Sequence, residues 1–259
     1  MNDLINDQIQ TSLDSIISEQ DLTMLLAIES GSRAWGFASV DSDYDVRFIY
    51  SRPLDAYLRV SSLRDVIELP IVDDLDINGW DLQKALGLMI KSNPTIMEWL
   101  SSPIIYKQHP VIDKLRAASQ TFFDSTHTSH HYLSMAIKNY NYLQAELVLR
   151  KKYLYVLRPL FCIEWISVHQ TMPPMEFDNL VAFSMDKTPD SQLAGAIKNL
   201  LANKKAGKET EKQPRDAVLD AFIQSRLSDY QSANFGKSKP ANYELTDTTF
   251  RTILQQLAK

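Results

Sequence analysis

The feature that most constrains this chain is a short interval, Gly31 to Asp45, lying between two apolar runs. Met24-Leu25-Leu26-Ala27-Ile28 precedes it and Val46-Arg47-Phe48-Ile49-Tyr50 follows it, so both flanks read as strands, the first from Leu22 to Glu29 and the second from Tyr44 to Tyr50. The interval opens with Gly31-Ser32 and closes with Asp43-Tyr44-Asp45. In an extended segment of period two, Asp43 and Asp45 leave the backbone on the same face. Carboxylates held that close repel unless they share a proton or a cation, and a hard divalent cation such as Mg²⁺ takes oxygen ligands while keeping sites for substrate phosphates. Gly31 carries no Cβ, so the Gly31-Ser32 turn can approach a phosphate closely. Alone, a Gly-Ser pair reads as a turn and an Asp-x-Asp as solvated surface. Together, between two strands, they read as a site.

An apolar strand, Gly-Ser, a spacer of ten residues and Asp-x-Asp resemble the signature of the nucleotidyltransferase superfamily that has the DNA polymerase beta type of palm. The wording Gly-Ser-Arg-Ala-Trp-Gly-Phe followed by Asp-Ser-Asp-Tyr-Asp-Val-Arg is similar to the predicted nucleotidyltransferase family also described as the RNA repair pathway DNA polymerase beta family. Glu68-Leu69-Pro70, the segment from Asp81 to Leu86 and the segment from Lys91 to Leu100 extend the likeness over the first half. The segment from Lys151 to Leu160 carries it into the second. The resemblance implies an α+β fold, with a small mixed β-sheet nucleotidyltransferase palm and flanking helices over residues 1–105 and an α-helical domain, the other wall of a cleft, over residues 106–259. It also implies metal-dependent transfer of a nucleoside monophosphate from an NTP to a hydroxyl, with Mg²⁺ or Mn²⁺ as cofactor and an RNA end as the acceptor.

Such a site needs a third carboxylate, to help hold a metal and to take the proton of an attacking hydroxyl. Asp76, between Leu75 and Ile77, is the preferred candidate, because hydrophobe-acid-hydrophobe on a strand points one acid away from the core. Glu68, between Ile67 and Leu69, has the same pattern and stands second. Asp81 follows Gly79-Trp80 and fits better as the cap of the next helix. Asp43, Asp45 and Asp76 are thus the expected catalytic and metal-holding residues, with Gly31 and Ser32 against the triphosphate. Ser32 is expected to cap a short helical turn, and Arg33 either reaches a phosphate or screens the acids. Trp35 and Phe37 are expected to pack rather than to stack on a base.

Residues 3–20 carry Leu4, Ile5, Ile9, Leu13, Ile16 and Ile17 at helical spacing and predict an amphipathic helix. Asp65 to Pro70 and Leu75 to Ile77 predict two further strands, and Ile104 to Tyr106 an edge strand. Asp81 to Ser92 and Thr95 to Leu100 predict helices, separated at Asn93-Pro94. The second half reads helical, with one long stretch from Ser129 to about Val168 that Pro159 is expected to kink or break. On it Lys151, Tyr155 and Arg158 share a face at i, i+4 and i+7, a cation, a phenol and a guanidinium that suit triphosphate and sugar contacts. His127, His130 and His131 lack a nearby third ligand for zinc. Asn203 to Lys212 reads as a polar, basic loop that could touch an RNA backbone.

A net charge of −5 argues against broad, charge-driven binding to duplex nucleic acid. One cysteine, Cys162, excludes an internal disulfide and sits among apolar neighbours as core filler. No apolar run is long enough to span a bilayer, and Met1 to Asp7 lacks the features of a signal peptide, so a cytoplasmic location without a membrane partner is expected. Two rival functions stand beside nucleotidyl transfer to RNA: adenylylation of a partner protein, as in antitoxins of similar fold, and nucleotide sensing without chemistry.

Overall fold

The computed structural model describes residues 3–207 and 211–258. The chain forms two compact units, the first comprising residues up to Ala34, Asp43–Phe123 and Pro240 onwards, the second Trp35–Ser42 and Asp124–Lys239. The division falls at Phe123 rather than at residue 105, and the C-terminal segment returns to the first unit. Both differences have the same cause: elements distant in sequence complete the first unit's sheet and its helical cover.

That unit begins with helix α1 (Asp3–Gln20) and strand β1 (Thr23–Glu29), then the short helix α2 (Gly31–Ala34) and strand β2 (Tyr44–Ser51). After α3 (Leu54–Tyr57) come β3 (Val66–Glu68), β4 (Leu75–Asp81), α4 (Leu82–Met89), α5 (Pro94–Leu100), β5 (Ile105–Gln108) and α6 (Ile112–Phe122). The five strands form one mixed sheet in the order β3-β4-β2-β1-β5. Strands β2 and β4 run parallel, and the other neighbours are antiparallel. Strand β5 pairs with β1 at the sheet edge, which places it with the sheet and not with a second domain.

The core follows from sequence periodicity. Ile9, Leu13 and Ile16 of α1 pack against Met24, Ala27, Val46, Phe48, Tyr50 and Ile77, the inward positions of β1, β2 and β4. Strand β4 runs four residues further than the apolar pattern predicts, through Asn78-Gly79-Trp80 to Asp81. Gly79 lowers strand propensity, yet it is required: a Cβ there would overlap the ring of Phe48 on the neighbouring strand. Trp80 in turn stacks on Trp99 at 3.9 Å between ring centroids. Helix α4 buries Leu82, Ala85, Leu86 and Met89, and Pro94 opens α5 behind an Asn93 cap that accepts from the Thr95 N–H.

The second unit is helical, with α7 (Ser125–Tyr140), α8 (Lys152–His169), α9 (Phe177–Lys187), α10 (Ser191–Lys205) and α11 (Ala217–Ser232). The stretch expected to be one long helix from Ser129 is interrupted by a 3₁₀ turn (Asn141–Leu143) and strand β6 (Leu147–Leu149), which pairs with β7 (Lys212–Pro214). The pairing joins residues more than sixty positions apart, so no local pattern reveals it. Of the basic run from Asn203, Lys208, Glu209 and Thr210 lie outside the described residues; the rest divides between the end of α10 and β7.

Helix α8 continues through Pro159 without a break. Proline has no N–H to give to the carbonyl four residues earlier. Asn139 of α7 compensates: its Nδ2 donates to the Tyr155 carbonyl at 3.2 Å. A final helix, α12 (Tyr243–Leu257), packs on α4 and α6 of the first unit, with Phe250 edge-on to Tyr57.

Candidate active site

Three local arrangements set the position of Asp45. Its main-chain N–H donates to Glu29 Oε1 at 2.8 Å, and its carbonyl accepts from the Ser30 N–H at 2.9 Å. The Gly31 backbone, at φ +59°, presses against its carboxylate so closely that a Cβ on Gly31 would overlap Oδ2. The glycine is thus needed twice, for a left-handed backbone and for the approach of the carboxylate. Ser30, not Ser32, occupies the N-cap position of the turn: α2 starts at Gly31, and Ser32 lies within it, buried.

Asp76 is brought to Asp45 by strand register. The two are partners in the parallel β2–β4 pair, so their side chains leave the sheet on one face. Arg47, two residues along β2 and on the same face, lays its guanidinium between them. Nη2 donates to Asp45 Oδ1 at 2.9 Å and to Asp76 Oδ2 at 2.7 Å, while Nη1 donates to the Asp76 carbonyl at 2.9 Å. The carboxylates are 30% exposed and the guanidinium side chain 17%, a half-buried cluster open to solvent on the side of the acids. Burial pushes the Asp45 carboxyl above its usual range; Arg47 opposes that shift, and the negative charges of Asp76 and Asp43 add to it.

Asp43 stands apart from this pair. It lies just before β2 and is exposed, and its main-chain carbonyl accepts from Arg33 Nε at 3.1 Å. Arg33 also lies flat over the Tyr44 ring, 3.6 Å from the centroid, so of its two expected roles the local one is the one seen. Among the described residues no three His, Cys, Asp or Glu side chains converge as a metal cage. Asp45 and Asp76 nevertheless fit a hard cation: both offer oxygen, and both already close on one cationic nitrogen.

The competing acids are placed elsewhere. Asp81 caps α4, accepting from the Gln83 N–H at 2.8 Å and from the Tyr57 hydroxyl at 3.0 Å. Glu68 is bonded to Arg64 and to Asn78 on the neighbouring strand.

Sequence reasoning did not single out Glu29, Tyr106 or Arg47. Glu29 is fully buried, accepting from the Asp45 N–H and from the Tyr106 hydroxyl, and burial raises its carboxyl to about 7 against the pull of those two bonds. The available signals were an acid ending an apolar strand run and a lone arginine within the next one.

Lys151, Tyr155 and Arg158 belong to the second unit. Lys151 immediately precedes α8, and Tyr155 is half-buried, edge-on to Trp35 and Phe37. Arg158 departs from the open face expected for the three: it is 2% exposed, with its guanidinium 4.4 Å from the Trp35 ring centroid and Nη2 directed at the Met175 carbonyl. Trp35 and Phe37 serve packing, in an aromatic cluster that includes Phe177. Cys162 is buried in the core. His127 leans on Asp124 and His130 on the Phe235 ring.

A five-stranded mixed sheet with helices, a Gly-Ser turn after its first strand and two acids paired across the next two strands define a nucleotidyltransferase of the DNA polymerase beta type. The chain belongs to the RNA repair pathway DNA polymerase beta family, whose model matches residues 5–252. It is 42% identical over 217 residues to the uncharacterized protein YcgL of Bacillus subtilis, an alignment covering 83% of this chain and 82% of that one. A crystal structure of a nucleotidyltransferase-like protein from Exiguobacterium sibiricum aligns over 86% of this chain and 78% of that chain, at 12% identity and a TM-score of 0.30. Among the described residues no helix is long and apolar enough to cross a membrane.

Proposed function

We propose that this protein transfers a nucleotidyl group from a nucleoside triphosphate to a hydroxyl at the end of an RNA, using Asp45 and Asp76 to hold a divalent cation, Mg²⁺ or Mn²⁺. The observation that carries the reading is the register pairing of Asp45 with Asp76, on one face and sharing one cationic group, beside a glycine backbone in contact with the same carboxylate. The family description favours RNA as the source of the acceptor.

A bound divalent cation would supply charge neutralisation of the triphosphate and a lowered pKa for the attacking hydroxyl. The chain's own residues supply the rest. Gly31 and Ser32 present backbone to the phosphates, and Asp43, exposed at the mouth of β2, adds a carboxylate to the approach of a metal-bound nucleotide. Asp76 accepts the proton of the acceptor hydroxyl. The acceptor oxygen then forms a bond to the α-phosphorus, the bond from that phosphorus to its bridging oxygen breaks, and pyrophosphate leaves with the electron pair. Arg47 holds the two carboxylates together before the cation arrives and must yield at least Nη2 when it does.

The test is incubation of the full chain with each labelled NTP, Mg²⁺ or Mn²⁺, and a panel of RNA, DNA, protein and small-molecule acceptors. Label on an RNA end with release of pyrophosphate, lost in an Asp43→Ala/Asp45→Ala double variant, is the expected result. Full incorporation by that variant overturns the mechanism. Label on a protein would instead make the enzyme an adenylylating one, and nucleotide binding without pyrophosphate release would make it a sensor.

A further inference from the structure

A second polar site lies at the other end of the β2–β4 pair. Where these parallel strands finish, the chain encloses a cavity of about 250 Å³ lined by Arg52, Arg59 and Arg64, the hydroxyls of Ser61 and Ser62, and Tyr57. The carboxyl ends of parallel strands are where open sheets leave a crevice for ligands. Three guanidinium groups around one small cavity stand out in a chain whose net charge is −5.

Two carboxylates also line this cavity, and both already have donors. Asp81 is taken by the Gln83 N–H and the Tyr57 hydroxyl, and Asp65 lies 3.3 Å from Lys84 Nζ. Of the arginines, Arg52 lies 5.3 Å from the Tyr50 ring centroid, and Arg64 shares the exposed Glu68. Arg59 is exposed and has no hydrogen bond or ion pair among the described residues. Forked guanidinium donors with two hydroxyls are the group set that recognises phosphate oxygens.

We infer that this cavity is a phosphate-binding site separate from the Asp45–Asp76 pair. The six residue steps of β2 between Asp45 and Ser51 correspond to roughly 20 Å of extended chain, so one phosphate group cannot occupy both places. The ligand is either a free phosphate or diphosphate anion or a phosphate of a polynucleotide backbone. The inference does not depend on the transferase reading, because it concerns binding in the absence of a divalent cation.

The experiment uses the full chain without divalent cations, titrated with pyrophosphate by calorimetry and with a short fluorescent single-stranded oligoribonucleotide by anisotropy. The Arg59→Ala/Arg64→Ala variant should weaken the bound ligand about tenfold, the loss of one charge-assisted contact. Arg251→Ala, on exposed α12, should leave binding unchanged; circular dichroism melting confirms that each variant is folded. Saturable pyrophosphate binding sensitive to the double substitution identifies a free-anion site. Oligonucleotide binding alone, sensitive in the same way and with a reduced salt slope, identifies a backbone site. No binding of either probe overturns the inference, as does binding that the double variant retains or that Arg251→Ala weakens equally.

Discussion

Asp76 and Asp81 lie five residues apart on one strand, and the contrast between them shows what makes a carboxylate available for chemistry. Asp76 faces Asp45 across the β2–β4 pair, 30% exposed, and its carboxylate is met by the end of a long side chain that can swing away. Asp81 is 4% exposed, and its two oxygens are met by a main-chain N–H and a tyrosine hydroxyl that the fold holds in place. Both acids are satisfied in the resting chain. The difference is that a cation can replace Arg47 at Asp76 without disturbing the backbone, whereas nothing can replace the Gln83 N–H at Asp81 without uncapping α4.

The largest effect should therefore come from the Asp45–Asp76 end. Asp45→Asn or Asp76→Asn should lower nucleotidyl transfer about a hundredfold or more, comparable to the loss of a principal electrostatic stabiliser. The melting temperature should not fall with Asp45→Asn, since the substitution removes a half-buried negative charge that burial already disfavours. An Asp45→Asn variant with near wild-type turnover would break the contrast at its centre.

Next comes the buried acid beneath Asp45. Glu29 holds its proton up to about pH 7, whereas in the unfolded chain it releases it near 4.5. Between these values the folded state binds more protons than the unfolded one, so stability falls as pH rises through the window and levels off above it. The fall is at most roughly 3 kcal/mol. Glu29→Gln keeps an acceptor for the Asp45 N–H and should flatten this decline, measured as denaturant midpoints from pH 4.5 to 7.5. Equal slopes in the two proteins would show that Glu29 does not titrate there.

A smaller loss is expected at the capping end. Asp81→Ala removes the α4 cap and the partner of the Tyr57 hydroxyl, and should cost about 1–2 kcal/mol of stability in chemical denaturation. Transfer per folded molecule should stay unchanged. Asp81→Asn, which retains a side-chain oxygen for the Gln83 N–H, should recover most of the loss.

Much of this was legible in the sequence, and the parts that were not share a physical reason. The α1 stripe, the strands on either side of Gly31-Ser32 and the Asp81 cap are local patterns, and local patterns can be read. The preference for Asp76 rested on its apolar neighbours, which Glu68 also has; only the parallel register with Asp45 separates the two. Glu29 escaped notice because its partners, the Asp45 N–H and Tyr106, come from other strands. Pro159 suggested a break in α8 because the Asn139 amide that replaces its missing N–H comes from α7. Arg158 read as part of an open face because its cover, Trp35 and Met175, is distant in sequence.

The smallest effect belongs to Glu68, and it tests the assignment of the third acid most directly. Glu68 pairs with Asn78 on β4, and Asn78 in turn pairs with Arg47 on β2, so Glu68 sits on an edge strand with β4 between it and the strand of Asp45. Its ion pair with Arg64 is exposed on both sides, 52% and 69%. Such pairs contribute between about 0 and 1 kcal/mol, because water screens the charges and two long side chains lose freedom to meet. Glu68→Gln should therefore change stability by less than about 0.5 kcal/mol and leave transfer unchanged. Should it instead abolish transfer while Asp76→Asn does not, the third carboxylate is Glu68, and the register pairing of Asp45 with Asp76 serves to anchor Arg47 rather than a metal.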